Sequence, residues 1–453
     1  MSIKYYSTNG KSESVSFKDA LIKGLAPDGG LYMPDSLPTF SFLDFKQMQS
    51  MNYAEIAYKV AKKVLGEEIN HTDLAWITTD AYNYDVPLEM VTDDTYVLRL
   101  DRGPTASFKD FAARMMGRLM QYFLKQENRK MLILTATSGD TGSAVASAFY
   151  GLDNIEVVVL YPEKEVSERQ RKQMTTLHKN ITVLALDGKF DDCQALVKQA
   201  FNDRDLDVLP LSSANSINIG RLIPQSIYYF YAYSKLVKNP GTDKIIFSVP
   251  SGNFGNLMGG LLAKKMGLPV EKFVISTNDN NEVPTYFKTG KYSTIVPSRE
   301  CISSAMNVGH PSNMARIISL YGGVMDEHGN ISKSPDIQSL NKDMFATFVS
   351  DDDTKETIKK VWKTYGAMLE PHGAVAWKGL TDYIQANVDN NCIKVVLETA
   401  HPSKFPNEII ELIDIDPILA PALEGLDKLE EIILTNKNNY ADFKDFLLSK
   451  YKK

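Results

Sequence analysis

Hydrophobic and polar positions follow two different rhythms along the chain, and the change occurs near residue 95. Before that point, apolar residues recur three or four positions apart, most clearly over residues 53–65, as on one face of an amphipathic helix. Residues 26–35 interrupt this pattern with glycines and prolines, which indicates a loop. The pattern predicts a mostly helical N-terminal segment over residues 1–97.

After residue 95, short apolar runs alternate with amphipathic stretches, which is typical of parallel sheets covered by helices. The apolar runs predict strands over residues 96–100, 131–135, 155–161, 181–186, 244–249, 273–277 and 393–398. The other stretches predict a helix with Phe111, Met115, Leu119, Met120 and Phe123 on one face, helices over residues 141–150, 167–178, 191–201, 256–266, 354–369 and 374–386, and a helical, charged tail after residue 423.

These elements predict an α/β protein with two doubly wound, mostly parallel sheet domains. A chain of 453 residues is also too long for one ordinary hydrophobic core. We expect the helical segment to be followed by one α/β domain over residues 98–215 and a second, with C-terminal helices, over residues 216–453.

Composition narrows the class of protein. Hydrophobic residues make up 43% of the chain, charged residues make up 23%, and the net charge of −6 argues against a general nucleic-acid binder. We see no apolar run of about 18 residues and no apolar signal core, so we expect a cytoplasmic protein without a membrane partner. Cys193, Cys301 and Cys392 are far apart and the six histidines are scattered, so we expect no disulfide framework and no metal site.

Three glycine-rich loops follow predicted strands and carry the candidate chemistry. Residues 251–256, Ser-Gly-Asn-Phe-Gly-Asn, lie between a predicted strand and a predicted helix. Backbone N–H groups and a helix N-terminus in such a loop can bind a phosphate, and a tight turn without a ligand is the alternative. The glycine spacing does not fit a dinucleotide site, and the loop lacks the Lys-Ser/Thr of a triphosphate site.

The second loop, residues 137–142, has the sequence Thr-Ser-Gly-Asp-Thr-Gly and also joins a strand to a helix. Its hydroxyls, its carboxylate and a helix N-terminus suit a ligand with a carboxylate group. The alternative is that Asp140 or Thr141 simply caps the helix.

The third loop places Lys109 directly before a helix, in an apolar setting after Gly103-Pro104-Thr105. Partial burial lowers the pKa of a lysine and frees its lone pair for Schiff-base chemistry, whereas most lysines are solvated. Residues 16–19 repeat the Ser-Phe-Lys-Asp of residues 107–110, so this tetrapeptide alone does not single out Lys109.

One cofactor would use all three loops. Pyridoxal phosphate offers an aldehyde to a lysine and a phosphate to a glycine loop, and leaves a third loop for its ring or for the acid group of a substrate. Ligands in open α/β sheets bind at the carboxyl ends of strands, where these loops are expected. We therefore predict a pyridoxal-phosphate enzyme whose catalytic lysine is Lys109.

Motifs along nearly the whole chain resemble the threonine synthases, within the fold-type-II family of pyridoxal-phosphate enzymes. In family order they are residues 14–17, 26–31, 103–110, 137–142, 187–195, 215–218, 251–256 and 399–405. The resemblance implies a fold like that of the tryptophan synthase β subunit. It also implies that Lys109 carries the cofactor as a Schiff base and moves protons.

The resemblance assigns the other cofactor contacts residue by residue. Asp140 would lie near the 3′ oxygen of the ring, and the hydroxyl of Thr399 would contact the pyridine nitrogen. The cofactor phosphate would bind the backbone N–H groups of Gly252, Asn253, Phe254, Gly255 and Asn256.

The resemblance also implies a binding site for a substrate phosphate. Its residues would be Ser138, Thr141, Asn215, Ser216 and Arg221. A guanidinium pairs with phosphate through two parallel hydrogen bonds, which suits Arg221; an arginine on a helix surface is the alternative.

Two positions depart from the family pattern. Asp101-Arg102 stands where relatives often have Phe-His, so the rim of the active site is expected to differ. Asp140 stands where many fold-type-II enzymes have asparagine. A carboxylate there would repel the cofactor's phenolate-like oxygen unless one of the two holds a proton, and the sequence leaves open which one does.

The implied reaction is the last step of threonine biosynthesis. A lyase acting on phosphates would eliminate phosphate from the γ-carbon of O-phospho-L-homoserine and add water at the β-carbon to give L-threonine. We expect a monomer or homodimer. Two alternatives stay open: a β-eliminase similar to serine/threonine dehydratase, whose substrate has no phosphate, and a non-catalytic homologue that binds pyridoxal phosphate.

Overall fold

The structure is a computed structural model that describes residues 3–387 and 392–452. Its α-helices are α1 (Phe17–Lys23), α2 (Phe42–Met48), α3 (Tyr53–Leu65), α4 (His71–Ala81), α5 (Lys109–Gln126), α6 (Asp140–Phe149), α7 (Glu168–Thr175), α8 (Phe190–Asn202), α9 (Leu222–Leu236), α10 (Gly255–Lys265), α11 (Glu282–Thr289), α12 (Met314–Leu320), α13 (Ile337–Asp343), α14 (Asp351–Tyr365), α15 (Pro371–Ala386), α16 (Pro406–Ile413) and α17 (Tyr440–Tyr451). Its β-strands are β1 (Tyr5–Ser7), β2 (Tyr32–Pro34), β3 (Leu88–Met90), β4 (Thr95–Arg99), β5 (Met131–Ala136), β6 (Ile155–Pro162), β7 (Ile181–Leu186), β8 (Leu211–Ser213), β9 (Ile245–Pro250), β10 (Val270–Thr277), β11 (Val324–Met325), β12 (Ile331–Lys333), β13 (Met344–Phe348), β14 (Ile393–Glu398) and β15 (Leu434–Asn436).

Two mostly parallel sheets form the centre of the molecule. The smaller sheet has the strand order β15-β7-β6-β5-β8, and the larger has the order β13-β10-β9-β14-β4-β3. Strand β3 is antiparallel to β4, and the other neighbouring strands of both sheets run parallel. The predicted α/β class with two mostly parallel sheets is therefore confirmed.

Strands β5 and β7 are buried at every residue because apolar cores lie on both faces of the smaller sheet. Successive side chains point to opposite faces: Ile133 belongs to the main core, whereas Leu132 and Leu134 belong to a second core with α8 and α17. Burial on both faces explains why these strands are continuous apolar runs in the sequence.

The N-terminal segment contains the predicted helix at α3, with the predicted bounds. Asn52 and Glu55 form a reciprocal capping box at its start. The segment also contains the antiparallel pair β1 and β2 and the edge strand β3, which the helical prediction missed. Strands of three residues are too short to show an alternating pattern.

The helix predicted to reach residue 369 ends earlier. Helix α14 stops at Tyr365, and Gly366 follows in the left-handed conformation with φ 67°. A glycine adopts this conformation without steric cost and commonly ends a helix.

The prediction of a helical tail after residue 423 is wrong for its first half. Strand β15 lies there and pairs in parallel with β7, and a helix forms only at α17. Likewise, β4 precedes the smaller sheet in the chain but belongs to the larger one. The three predicted segments stay a proposal for the domain organisation. Each sheet contains a strand from outside its own predicted segment: β4 in the larger sheet and β15 in the smaller sheet.

Candidate active site

One cavity lies where the carboxyl ends of strands from both sheets meet. Loops after β4, β9 and β14 of the larger sheet reach it, as do loops after β5 and β8 of the smaller sheet. Its lining includes Lys109, Ser138, Asp140, Thr141, Asn215, Ser216, Arg221, Gly252, Asn253, Phe254, Gly255, Asn256 and Thr399. The structure therefore brings together every residue that the sequence predicts for the site, at the position where open α/β sheets bind ligands.

Sheet register brings Lys109 next to Thr399. Strands β4 and β14 are parallel neighbours, with Arg99 paired to Glu398. Beyond them the two segments stay together, because Phe108 donates its backbone N–H to the carbonyl of Thr399 over 2.9 Å. Lys109 and Thr399, far apart in sequence, thus lie on the same side of the cavity.

Lys109 is the first residue of α5, and its side chain is only 13% exposed. Its Nζ atom lies 3.6 Å from Oδ2 of Asp140. Burial lowers the pKa of Lys109, the Asp140 carboxylate raises it, and the cations Lys404 and Arg221 lower it again; the pKa ends below its ordinary value. A neutral amine is consequently more accessible at Lys109 than at an ordinary lysine.

Lys18, in the repeated tetrapeptide, has a different environment. Ser16 caps α1, and the Nζ atom of Lys18 lies 2.6 Å from Oε1 of Glu127 at the protein surface. Residues 16–19 therefore cap a helix and carry a solvated lysine, which is unlike the buried Lys109.

Asp140 is buried between two lysines. Nζ of Lys404 lies 2.6 Å from its Oδ1 atom, and Nε2 of Gln170 donates to the same oxygen over 2.9 Å. Burial by itself raises the pKa of Asp140, but Lys404, Lys109 and these hydrogen bonds outweigh it and hold the pKa below its ordinary value. These contacts thus favour the ionised form of Asp140.

Helix capping does not explain Asp140 and Thr141. Helix α6 begins at Asp140, and its N-cap residue, Gly139, has no side chain that could cap it. The hydroxyl of Thr137 instead accepts the N–H groups of Gly139 and Gly142. The N–H groups of Asp140 and Thr141 lack a side-chain acceptor among the described residues, so this part of the helix start can receive a ligand.

The glycine loop forms a cradle at the start of α10. Phe254 is left-handed, with φ 61°, and no side chain caps the helix. A Cβ atom on Gly252 would lie 2.8 Å from Cα of Met306, so only glycine fits this close approach. The first N–H groups of α10 lack a side-chain acceptor and suit an anion.

Two hydrogen bonds fix the side-chain amide of Asn256, and its N–H groups stay available. Its Oδ1 atom accepts hydrogen bonds from the hydroxyls of Tyr228 and Tyr229 over 2.6 and 2.7 Å. Its buried Nδ2 atom has no partner among the described residues. Burial strongly disfavours an unpaired donor, so the amide suits a ligand acceptor.

Arg221 is buried, with 2% exposure, and its charge is not paired with a carboxylate among the described residues. Its Nη1 atom donates to the carbonyl of Ala214 over 2.6 Å, while Nε has no partner. Burial lowers the pKa of Arg221 to about 10, against the opposing influence of Asp110 and Tyr228. The alternative of a helix-surface arginine does not hold.

Two other predicted residues line the same cavity as Arg221. Oδ1 of Asn215 is buried without a partner among the described residues, and Oγ of Ser216 lies 2.5 Å from Nδ2 of Asn253. The last contact joins the predicted substrate loop to the glycine loop.

Sequence reasoning missed several residues of the site. The lining also includes Phe190, Gln194, Gln225, Ala305, Met306, Asn307, Val308 and His372, while Lys404 and Gln170 contact Asp140 from behind. Phe190 and Gln194 fall in a motif of the family resemblance, which could have singled them out. Nothing in the local pattern marks residues 305–308.

His372 marks the start of a helix, as the sequence indicates, and also faces the cavity. It lies in the first turn of α15, which Glu370 caps. Its Nδ1 atom lies 2.5 Å from Oε2 of Glu370, and its Nε2 atom accepts the N–H of Ala305 over 3.1 Å. His372 thereby holds the segment of residues 305–308 against the cavity.

The departure at Asp101-Arg102 lies outside the cavity lining. Asp101 is buried and pairs with Arg99 over 2.6 Å. Nη1 of Arg102 lies 3.3 Å from Nε2 of His401. The two residues form a charged cluster behind the wall that carries Thr399.

Neither a metal-binding group of side chains nor a helix able to cross a membrane occurs within residues 3–387 and 392–452.

Comparisons with known proteins agree with this geometry. Residues 4–82 match the family described as threonine synthase N terminus, residues 87–397 match pyridoxal-phosphate dependent enzyme, and residues 373–447 match threonine synthase, C-terminal. The threonine synthase of Haemophilus influenzae is 38% identical over 449 residues, which cover 98% of this chain and 99% of that protein.

Solved structures give the same result. The pyridoxal-phosphate-bound threonine synthase of Brucella melitensis has a TM-score of 0.91 and 33% identity, with all of both chains covered. The threonine synthase of Escherichia coli has a TM-score of 0.87 and 36% identity, with 98% of this chain and 99% of that chain covered. This chain therefore belongs to the threonine synthase family of pyridoxal-phosphate-dependent enzymes.

Proposed function

We propose that the protein converts O-phospho-L-homoserine and water into L-threonine and phosphate, as a carbon–oxygen lyase acting on phosphates. The proposal rests mainly on the burial of Arg221 without a carboxylate partner among the described residues. A buried guanidinium without a carboxylate partner is costly unless a ligand supplies the anion. A substrate phosphate fits this requirement, since it can accept two parallel hydrogen bonds from the guanidinium.

The residues of the cavity fit pyridoxal phosphate as the cofactor. The uncapped start of α10 and the close approach at Gly252 form a cradle for its phosphate group. The lowered pKa of Lys109 suits an amine that attaches to an aldehyde. When bound, the cofactor supplies a ring that withdraws electrons and stabilises negative charge at a substrate carbon.

Lys109 would also handle protons. Its amine, once free, can remove the α-proton of the substrate and next the β-proton, because its pKa lies below that of an ordinary lysine. Asp140 would lie near the cofactor ring as a carboxylate, which Lys404 neutralises. The hydroxyl of Thr399 would approach the ring nitrogen as an uncharged partner.

The substrate phosphate would bind between the two sheets. Arg221 would supply charge, Asn215 and Ser216 would supply polar groups from the loop after β8, and Ser138 and Thr141 would supply hydroxyls at the open start of α6. These groups can stabilise the charge that develops on phosphate as it leaves. The same contacts would exclude water from the γ-carbon.

The two alternatives explain less. A dehydratase acts on a substrate without phosphate and would leave Arg221 buried and unpaired. A non-catalytic homologue would need neither the lowered pKa of Lys109 nor an open start of α6. A monomer or homodimer, a cytoplasmic location and the absence of nucleic-acid partners stay predictions.

The direct test follows products from purified enzyme saturated with cofactor and given O-phospho-L-homoserine. We expect threonine and inorganic phosphate in equal amounts. Ammonia and a 2-oxo acid from serine or threonine, with no phosphate release from O-phospho-L-homoserine, would support the dehydratase instead. No turnover of any of these amino acids would support the non-catalytic homologue.

A further inference from the structure

Asp140 lies between two lysines, and the closer one lies behind the cavity wall. Nζ of Lys404 is 2.6 Å from Oδ1 of Asp140, whereas Nζ of Lys109 is 3.6 Å from Oδ2. The side chain of Lys404 is fully buried, and its ammonium also donates to the carbonyl of Thr105 over 3.0 Å. A lysine is almost never fully buried unless it is paired, so Asp140 and Lys404 require each other.

The backbone around Lys404 holds it in place. Residues 402–404 form a short 3-10 turn after β14, and His401 caps this turn through Ser403. The carbonyl of Ala106 accepts the N–H of His401 over 3.0 Å, so the turn is attached to the segment that leads to Lys109. Lys404 and Lys109 therefore approach Asp140 from two segments that are bonded to each other.

We propose that Lys404 is a positioning residue that binds the carboxylate of Asp140 and thereby keeps the amine of Lys109 neutral and reactive. This inference rests on the proposed function, in which Lys109 is the lysine that holds the cofactor. It gives Lys404 a role that is separate from contact with cofactor or substrate, since Lys404 is absent from the cavity lining.

The reason is electrostatic. A lone carboxylate beside a buried amine would form an ion pair with it and favour the protonated amine. Lys404 neutralises that carboxylate at the shorter distance, and its own charge repels a proton on Lys109. Pairing with Lys404 thus keeps a buried carboxylate in the site without protonating Lys109.

Other charged and titratable groups near Lys109 do not replace Lys404. Arg221 lowers the pKa of Lys109 as well, but it is the expected phosphate ligand. Asp110 is occupied by Thr105, whose hydroxyl donates to it over 2.7 Å, and burial raises the pKa of Asp110. His372 is bonded to Glu370 and Ala305, as described above.

Competitive labelling of the full-length protein, freed of cofactor, tests the proposal without measuring turnover. It reports the pH at which the amine of Lys109 loses its proton. The protein is treated with trace acetic anhydride at a series of pH values, and acetylation of Lys109 is followed by mass spectrometry. We expect Lys404→Met to raise the pH midpoint of Lys109 labelling by about one unit or more, because the freed carboxylate pairs with Lys109. Lys404→Arg keeps the charge and should keep the midpoint near that of the unaltered protein.

Two controls separate charge from packing. Gln170→Leu removes a hydrogen bond to the same Oδ1 atom without removing a charge, so it should move the midpoint much less than Lys404→Met. Labelling of the exposed Lys130 should be the same in all variants.

If Lys404→Met does not fold, the double variant Lys404→Met with Asp140→Asn removes both members of the buried pair and leaves no buried charge behind. Its midpoint should be close to that of the unaltered protein, and Asp140→Asn alone should give a lower one. An unchanged midpoint in Lys404→Met, or an equal rise with methionine and arginine, would overturn the proposal. Failure of phosphate release from O-phospho-L-homoserine with normal labelling shifts would instead count against the proposed function alone.

Discussion

The carbonyl oxygen of Ser216 lies 3.0 Å from Nη1 of Arg316, a fully buried residue outside the cavity lining. The same guanidinium donates to the carbonyls of Tyr32 and Ile217 and to Oδ1 of Asn313. Burial lowers the pKa of Arg316 to about 9. One side chain thus joins the N-terminal segment, the expected substrate loop and helix α12.

Replacement of Arg316 should therefore affect stability and substrate binding together. Arg316→Met removes the donor from one buried carbonyl, that of Tyr32, and from two partly buried carbonyls, so we expect the free energy of unfolding to fall by about 3 kcal/mol. Denaturation in urea measures this loss. Arg129→Met removes a half-exposed arginine that pairs with Glu127, and should change the free energy of unfolding by less than about 0.5 kcal/mol.

The KM for O-phospho-L-homoserine should also rise in Arg316→Met, because Ser216 loses its support. A variant with full stability and an unchanged KM would show that the contacts of Arg316 do not hold this loop.

Arg221→Met should damage catalysis without damaging cofactor binding. Loss of a buried charge–phosphate contact should lower kcat/KM for O-phospho-L-homoserine by about 10²–10³-fold. The affinity for pyridoxal phosphate, measured by spectroscopic titration, should stay within about twofold, since its phosphate is expected at α10. Arg204→Met, at an exposed arginine, is the matched control.

An equal loss of cofactor affinity in Arg221→Met would place the cofactor phosphate at Arg221. An unchanged kcat/KM would remove the main support for a phosphorylated substrate.

Glu282 predicts a pH dependence of stability. The residue is 3% exposed, neither carboxyl oxygen has a partner among the described residues, and burial raises its pKa to about 7. Because the folded-state pKa is above the unfolded value, the folded state binds the extra proton. Its stabilising contribution is complete below about pH 4.5 and is lost as the pH rises through about 7.

Glu282→Gln should remove this dependence. The variant should become more stable relative to the unaltered protein between pH 5 and pH 8, by at most about 3 kcal/mol. Urea denaturation of both proteins at the two pH values measures the difference. A constant difference in unfolding free energy would mean that Glu282 titrates normally.

The sequence was most informative where a single local rule decides the structure. Burial on both faces produces the apolar runs of β7 and β14, and both have the predicted bounds. The 3.6-residue period of α3 and the glycine after α14 are local signals of the same kind. By contrast, β15 is three residues long and largely exposed, and pairing with β7 alone makes it a strand.

The residues of the site likewise fall into those that a local sequence pattern predicts and those that only the fold brings together. Loops that face a ligand keep recognisable glycine and hydroxyl patterns, so the cavity residues in these loops could be named in advance, whereas residues 305–308 could not. Lys404 and Gln170 act on Asp140 through contacts across the fold. Lys404 lies in the motif of residues 399–405, but its contact with Asp140 depends on where the turn after β14 is placed, and that of Gln170 depends on the packing of α7 against α6. No spacing in the sequence encodes these contacts.

The absorption spectrum of the purified protein tests the central claim, that Lys109 holds pyridoxal phosphate in this cavity. We expect a band at about 410–420 nm that shifts when O-phospho-L-homoserine is added. The band should be absent from Lys109→Ala and present in Lys18→Ala, which changes the lysine of the repeated tetrapeptide. A band that persists in Lys109→Ala, or that never forms after cofactor is added, would contradict the account.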